Sequence, residues 1–151
     1  MSESNCAFCK IVRGEIPSHS VYEDERVKAF VDIGPISSGH TLVIPKAHAE
    51  RLEDLDEEDG AAIGRVLPKV GAAVLAASGA KDYNVLQNNG ETAGQAVFHV
   101  HFHIIPRHSG TARDQAKSGS SGLPFSWPAR SLDNEEGETL AAAIRQQLEH
   151  G

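Results

Sequence analysis

His99-Val100-His101-Phe102-His103-Ile104-Ile105 is the stretch that decides both the fold and the chemistry of this chain. Imidazoles alternate with apolar side chains, and period-two alternation is a strand signal. Successive strand residues point to opposite faces, so His99, His101 and His103 would share one face while Val100, Phe102 and Ile104 cover a core on the other. Same-face neighbours lie about 6.6 Å apart, which separates the outer two histidines by about 13 Å. One tetrahedral ion with ligand bonds of about 2 Å does not span that distance, so the three should divide their work. A lone histidine on a strand is ordinarily a hydrogen-bonded structural residue, but burying three on one face without a function would be costly.

Composition narrows the class. At 151 residues the chain fits one domain with a core that needs no disulfide. Its 14 Lys and Arg against 21 Asp and Glu give a net charge of −7, which argues against a general nucleic-acid binder. An anionic small substrate would have to find local donors instead. No basic region leads into an apolar segment, and no apolar run reaches about 18 residues, so the expectation is a cytoplasmic protein with no membrane partner. A bridge between Cys6 and Cys9, the only cysteines, would close a tiny loop and stabilise little, which turns attention to metal binding or redox chemistry.

The elements follow from local signals. Phe8, Ile11, Val12 and Gly14 read as a short helix that Pro17 prevents from continuing. Residues 21–23 and 27–32 flank Asp24-Glu25-Arg26 as a hairpin, and 41–44 form a third strand closed by Pro45. Between about 56 and 78 apolar residues such as Ile63, Val66, Val70 and Val74 recur at helical spacing, with acidic residues first and Gly79 after the end. Pro68 inside this pattern predicts a kink or a break. Residues 83–86 are a fourth strand, and a polar loop from Asn88 to Gln95 delivers the chain into the histidines. Residues 108–130 read as irregular, with Phe125 and Trp127 as their large apolar anchors. Asp133 or Asn134 caps a last helix carrying Leu140, Ala143, Ile144 and Leu148 on one stripe.

The chain resembles the histidine triad (HIT) family, whose signature His-φ-His-φ-His-φ-φ, with φ apolar, is complete at 99–105. The likeness extends over Cys6-Ala-Phe-Cys9-Lys-Ile-Val-Arg-Gly-Glu-Ile-Pro17, Ala29-Phe30-Val31-Asp32-Ile33, Gly39-His40-Thr-Leu-Val-Ile-Pro-Lys46 and Asn88-Asn-Gly90 through Gly94-Gln95. It implies a single α+β domain of HIT-like fold, with an antiparallel sheet of about five strands and one long helix, usually doubled into a homodimer. A short N-terminal helix and a C-terminal helix complete the expected architecture.

The resemblance also implies cleavage at the α-phosphate of a nucleotide, usually a purine one, through a nucleotidyl-histidine intermediate. His101 matches the nucleophile, which must be a neutral imidazole whose far nitrogen keeps its proton on a fixed acceptor such as a backbone carbonyl. His103 would contact the phosphate or support the leaving group, and His40 would support the nucleophile. Asn88, Gly94, Gln95 and the backbone at Ala96 and Val97 match phosphate-contacting positions. Asp32 would take the ribose hydroxyls and Ile33 would line the base pocket, although a core role suits Ile33 equally. In zinc-containing relatives the cysteine pair is joined by the first triad histidine and by a histidine after Ile-Pro-Lys. The corresponding ligands here are Cys6, Cys9, His48 and His99, and the zinc would be structural.

Several alternatives stay open. Cys6 and Cys9 also suit unmetallated thiols or a redox pair, though no thioredoxin-like strand-helix pattern surrounds them. The Hint branch, a phosphoramidase group, commonly has serine where this chain has Ala96, and the Fhit branch, which splits dinucleoside polyphosphates, commonly has threonine. The leaving group is therefore unassigned at this level. A nucleotide-binding regulatory protein with little turnover, and an enzyme whose zinc activates water, are the readings of other classes.

Overall fold

Two mainly apolar runs, Val27–Val31 and Thr41–Pro45, build the middle of the sheet, and every residue in them, Lys28 and Thr41 included, is buried because both of their faces are covered. The computed structural model describes residues 3–109 and 131–150. In chain order its elements are α1 (Ala7–Val12), β1 (Ser20–Glu23), β2 (Val27–Val31), β3 (Thr41–Pro45), α2 (Glu57–Ser78), β4 (Asp82–Leu86), β5 (Phe102–Arg107) and α3 (Asn134–His150). The strands form one five-stranded sheet in the order β1-β2-β3-β5-β4, with each neighbouring pair antiparallel. The architecture is α+β.

The two faces of the sheet do different work. Val27, Ala29, Val31, Val43 and Ile104 point to a core shared with α2 and α3, while Phe30, Leu42 and Ile44 point the other way, to Cys6, Phe8 and Cys9 on and beside α1. His103 lies opposite Leu42 on β3 and Leu86 on β4, and so belongs to this second face.

Helix α2 is held by the signals its sequence carries. The Asp56 side chain caps it by accepting from the amides of Glu58 and Asp59, and Gly79 ends it at φ 78°, a left-handed conformation that glycine adopts freely. Pro68 does not break the helix, which is continuous over its 22 residues. Pro68 is exposed, so the carbonyl that loses its partner faces water rather than the core. Helix α2 is also long and apolar enough to cross a membrane by length and composition. Arg65 and Lys69 interrupt it, and Val66, Val70 and Val74 are packed on the sheet. At the other end of the chain, Asp133 caps α3 by accepting from the Glu136 amide, and Ala141 and Ile144 close the same core. Gly137 sits where an added Cβ would lie 2.5 Å from the His19 ring, so this close approach requires glycine. Phe125 and Trp127 lie outside the described residues.

One expectation is corrected by the ladder. Strand β5 begins at Phe102, so His99 and His101 precede it and do not share a regular strand with His103. Beyond the Val43 and Phe102 pair, backbone pairing between β3 and β5 gives way to other bonds: the Pro45 carbonyl accepts from the His99 ring at 2.8 Å, and the Val100 amide donates to Ala49 O at 2.8 Å. Side-chain and loop bonds replace the ladder there, as the backbone's donors and acceptors require partners of some kind.

Candidate active site

A cleft of about 590 Å³ opens on the second face of the sheet. Phe8, Ile11, Ile16 and Leu42 line its apolar part, and Asp32, Asn88, His101 and His103 supply polar groups. Ile33 also lines it and is 65% exposed, which places this side chain at the cleft and not in the core.

The hydrogen bonds assign the proton on each ring. His101 Nδ1 lies 2.7 Å from the His99 carbonyl, and a carbonyl only accepts, so Nδ1 carries the proton and Nε2 keeps its lone pair. The Ile36 amide donates to His40 Nδ1 at 2.9 Å, so the His40 proton is on Nε2. That Nε2–H lies 3.0 Å from His103 Nδ1 and donates to it, and the His103 proton is consequently on Nε2. His40 therefore donates to His103, the neighbour of His101, and not to His101 itself. The His101 and His103 rings stand 4.9 Å apart at 69°, a lone pair beside a donor.

Burial keeps these rings neutral. It lowers the pKa of His101, pushes His40 down to about 4 even though the Asp32 carboxylate opposes the shift, and pushes His103 down to about 3 with help from its neighbours His101 and His40. Asp32 Oδ2 is 3.4 Å from His40 Nε2 and its Oδ1 accepts from the Gly34 amide at 2.8 Å. Asp32, His40 and His103 together have donor types that suit a metal. The proton on His40 Nε2 makes the group a hydrogen-bond relay instead, since a protonated nitrogen has no lone pair to coordinate.

The loop before the triad is braced by Gln95. Its buried side chain accepts from the Gly90 amide at 2.7 Å and donates to the carbonyls of Glu50 and Val97 at 2.6 and 3.0 Å. With its amide so occupied, Gln95 shapes the loop, which departs from the expected phosphate contact. Gly94, at φ 96°, Ala96 and Val97 line the cleft beside Asn88, whose Nδ2 lies 3.4 Å from the Gly94 carbonyl. Among the described residues the amides of Ala96 and Val97 donate to no protein group.

Behind the cleft, Cys6, Cys9, His48 and His99 bring four ligand atoms within 4.8 Å of one another. The His99 Nε2–H donates to Pro45 O, which turns the Nδ1 lone pair toward the thiols. His99 Nδ1 lies 3.4 Å from Cys6 Sγ, 3.5 Å from Cys9 Sγ and 3.3 Å from His48 Nδ1, and His48 Nδ1 lies 3.3 Å from Cys9 Sγ. A tetrahedral ion with bonds of about 2.05 Å to nitrogen and about 2.3 Å to sulfur gives ligand separations of about 3.3 Å and about 3.6 Å. The four residues fit that geometry and that donor set. Burial pushes the Cys9 thiol up to about 12, helped by the hydrogen bond and charge of the neighbouring Cys6.

Fold and site together define an α+β protein with a paired-histidine cleft on a five-stranded sheet. The chain belongs to the HIT family, its HIT domain matching over residues 13–110. It is 42% identical over 144 residues to the adenosine 5'-monophosphoramidase hnt1 of Schizosaccharomyces pombe, covering 95% of this chain and 98% of that one. A solved HIT-like protein from Bartonella henselae superposes with a TM-score of 0.82 at 37% identity, over 97% of this chain and 99% of that one. A zinc-bound HIT family protein from Mycobacterium smegmatis does so with a TM-score of 0.79 at 31% identity, over 99% and 96%.

Proposed function

We propose that the protein is a nucleotide hydrolase that releases an AMP-like monophosphate from a phosphoramidate through a covalent intermediate on His101. The observation that carries this reading is the tautomer of His101, whose Nδ1–H on the His99 carbonyl directs the Nε2 lone pair to the cleft. The base would occupy the apolar part and the ribose hydroxyls the Asp32 carboxylate. The amides of Ala96 and Val97, with Asn88, would hold the phosphate oxygens. Attack by Nε2 on phosphorus forms the P–N bond to His101 as the bond to the leaving nitrogen breaks. The adduct is an imidazolium, and the carbonyl 2.7 Å from Nδ1 stabilises its charge. His103 offers its Nε2–H to the leaving atom or a phosphate oxygen, a role that Ala96 leaves unfilled for want of a hydroxyl. Water then attacks phosphorus as the P–N bond to His101 breaks, and the proton that water loses makes good the one the leaving amine took, so the nucleotide leaves and both rings are neutral again.

No lysine or arginine is among the described residues lining the cleft, which favours an amine leaving group over a polyphosphate. The test compares cleavage of an AMP phosphoramidate with that of a dinucleoside polyphosphate while trapping the adduct in alkaline denaturant, where a P–N bond to imidazole survives. An adduct on His101 and faster phosphoramidate turnover are expected. An adduct elsewhere overturns the mechanism, and faster polyphosphate cleavage overturns the substrate class.

Two further parts belong to this proposal. Cys6, Cys9, His48 and His99 would hold a structural zinc ion, whose chemistry there is to bind thiolates and imidazoles and fix the segments that bear them. Metal analysis of the purified protein tests it, with one zinc per chain expected. The second part is a homodimer formed through β4, one of the two edge strands, where Tyr83 and Val85 are 39% and 49% exposed. Light scattering of Val85→Lys tests it, with a shift toward monomer expected.

A further inference from the structure

We infer that the Cys6, Cys9, His48 and His99 cluster fixes the position and tautomer of the nucleophile, with His99 and Phe8 as its two positioning residues. The inference rests on the reading of that cluster as a zinc site.

The argument starts from where the strand ladder stops. Residues 99–101 precede β5, so no ladder bond fixes the His99 carbonyl on which the His101 proton rests. Other contacts hold that peptide: the His99 Nε2–H on Pro45 O, the Val100 amide on Ala49 O, and His99 Nδ1 within the cluster. The first two lead to the 45–49 segment, which itself carries the ligand His48. The cluster thus joins three segments, 6–9, 45–49 and 99–101, directly behind the nucleophile.

Phe8 gives a second route. It stands between the two cysteines on α1, and its ring meets His101 at 5.1 Å and His99 at 5.9 Å, both edge to face, before continuing into the cleft wall. Four ligands closed round one ion hold α1 against this face, and with it the Phe8 ring against His101. Without the ion, only weak thiol contacts at 3.3 to 3.5 Å join the three segments, and the His99 peptide keeps its bonds to Pro45 and Ala49 but loses the anchor that fixes both partners against α1. A shifted carbonyl no longer pins the proton on Nδ1. The alternative tautomer of His101 presents a proton to the cleft and cannot attack.

The experiment takes the purified full chain, measures its zinc, strips it with a chelator and reloads it, following the imidazole 15N shifts of His101 and the binding of AMP. Folded, stripped protein should lose the Nδ1–H signature and cleave the phosphoramidate about ten-fold more slowly or worse, with AMP affinity within about two-fold, all restored by zinc. Protein that neither contains nor takes up zinc overturns the zinc reading and this inference together. Protein that holds zinc yet keeps the same His101 tautomer when stripped and folded overturns this inference alone. Where stripping unfolds the chain, Phe8→Leu in the zinc-loaded protein decides. A changed tautomer population at unchanged zinc content supports the inference, and an unchanged population overturns it.

Discussion

Two groups of histidines meet at residues 99–103 and use the same ring in opposite ways. Around His40, His101 and His103, each of the bonds at 2.7 to 3.0 Å has one donor and one acceptor that the chain itself assigns. In the cluster with Cys6 and Cys9, nitrogen and sulfur atoms face one another at 3.3 to 3.5 Å, the spacing of ligands round an ion. The second nitrogen of each ring decides which group it serves. The His99 Nε2–H is held by Pro45 O, so its Nδ1 faces the thiols; the His101 Nδ1–H is held by His99 O, so its Nε2 faces the cleft. A backbone carbonyl or amide, more than the imidazole, chooses between coordination and chemistry.

Removing one ring from each group separates them most sharply. His101→Ala should lower phosphoramidate turnover by about 10⁴-fold or more while calorimetry still shows AMP binding. Turnover retained at that level would dissolve the distinction between the groups. Chelation acts on the other group and should appear first as stability: at zinc a thousandfold above its Kd, loss of the ion costs about 4 kcal/mol in urea unfolding. An unfolding midpoint that ignores chelator would remove the cluster's proposed structural role.

Within the relay, His40 offers a finer cut. His40→Ala removes the donor to His103 Nδ1, freeing His103 to take the opposite tautomer and turn a lone pair to the leaving group. A fall in kcat of about a hundredfold is expected, with KM nearly unchanged because His40 does not line the cleft. His40→Gln keeps an N–H donor and should recover part of the loss. Equal kcat in the two variants would show that the donated proton is not what matters.

Much of this was legible in the sequence, and the exceptions share a physical cause. Caps, turn residues and apolar spacing located the strands and helices, since those signals are local: Asp56 and Gly79 bound α2 as their residue types dictate. Alternation at 99–105 marked extended backbone but could not reveal which backbone groups pair, so the late start of β5 was hidden. The partner of His40 depends on the register of β3 against β5, which sets Leu42 opposite His103 and brings together rings 63 residues apart. Gln95 has donors and an acceptor that suit a phosphate loop or a buried brace equally, and only its burial distinguishes them. Pro68 is compatible with helix α2 because it faces solvent, a fact of packing rather than of local propensity.

The smallest effect expected is on pH dependence, and it too belongs to the relay. Burial holds His40 at about 4 and His103 at about 3 in the folded chain, below the ordinary histidine value of 6.5. Between about 6.5 and about 4 the unfolded chain therefore binds more protons than the folded one, and stability rises with pH across that window. The relay's contribution is complete above 6.5, is lost as the pH falls, and stops changing once the folded rings protonate as well. Each histidine accounts for on the order of 1 kcal/mol per pH unit, less where the two share one proton through their hydrogen bond. Urea midpoints of zinc-loaded protein from pH 7 to pH 5 should fall with acid, and His40→Gln should flatten that slope. A slope identical in the variant would assign the acid sensitivity to the thiolate cluster, where protons compete with metal for the same ligands.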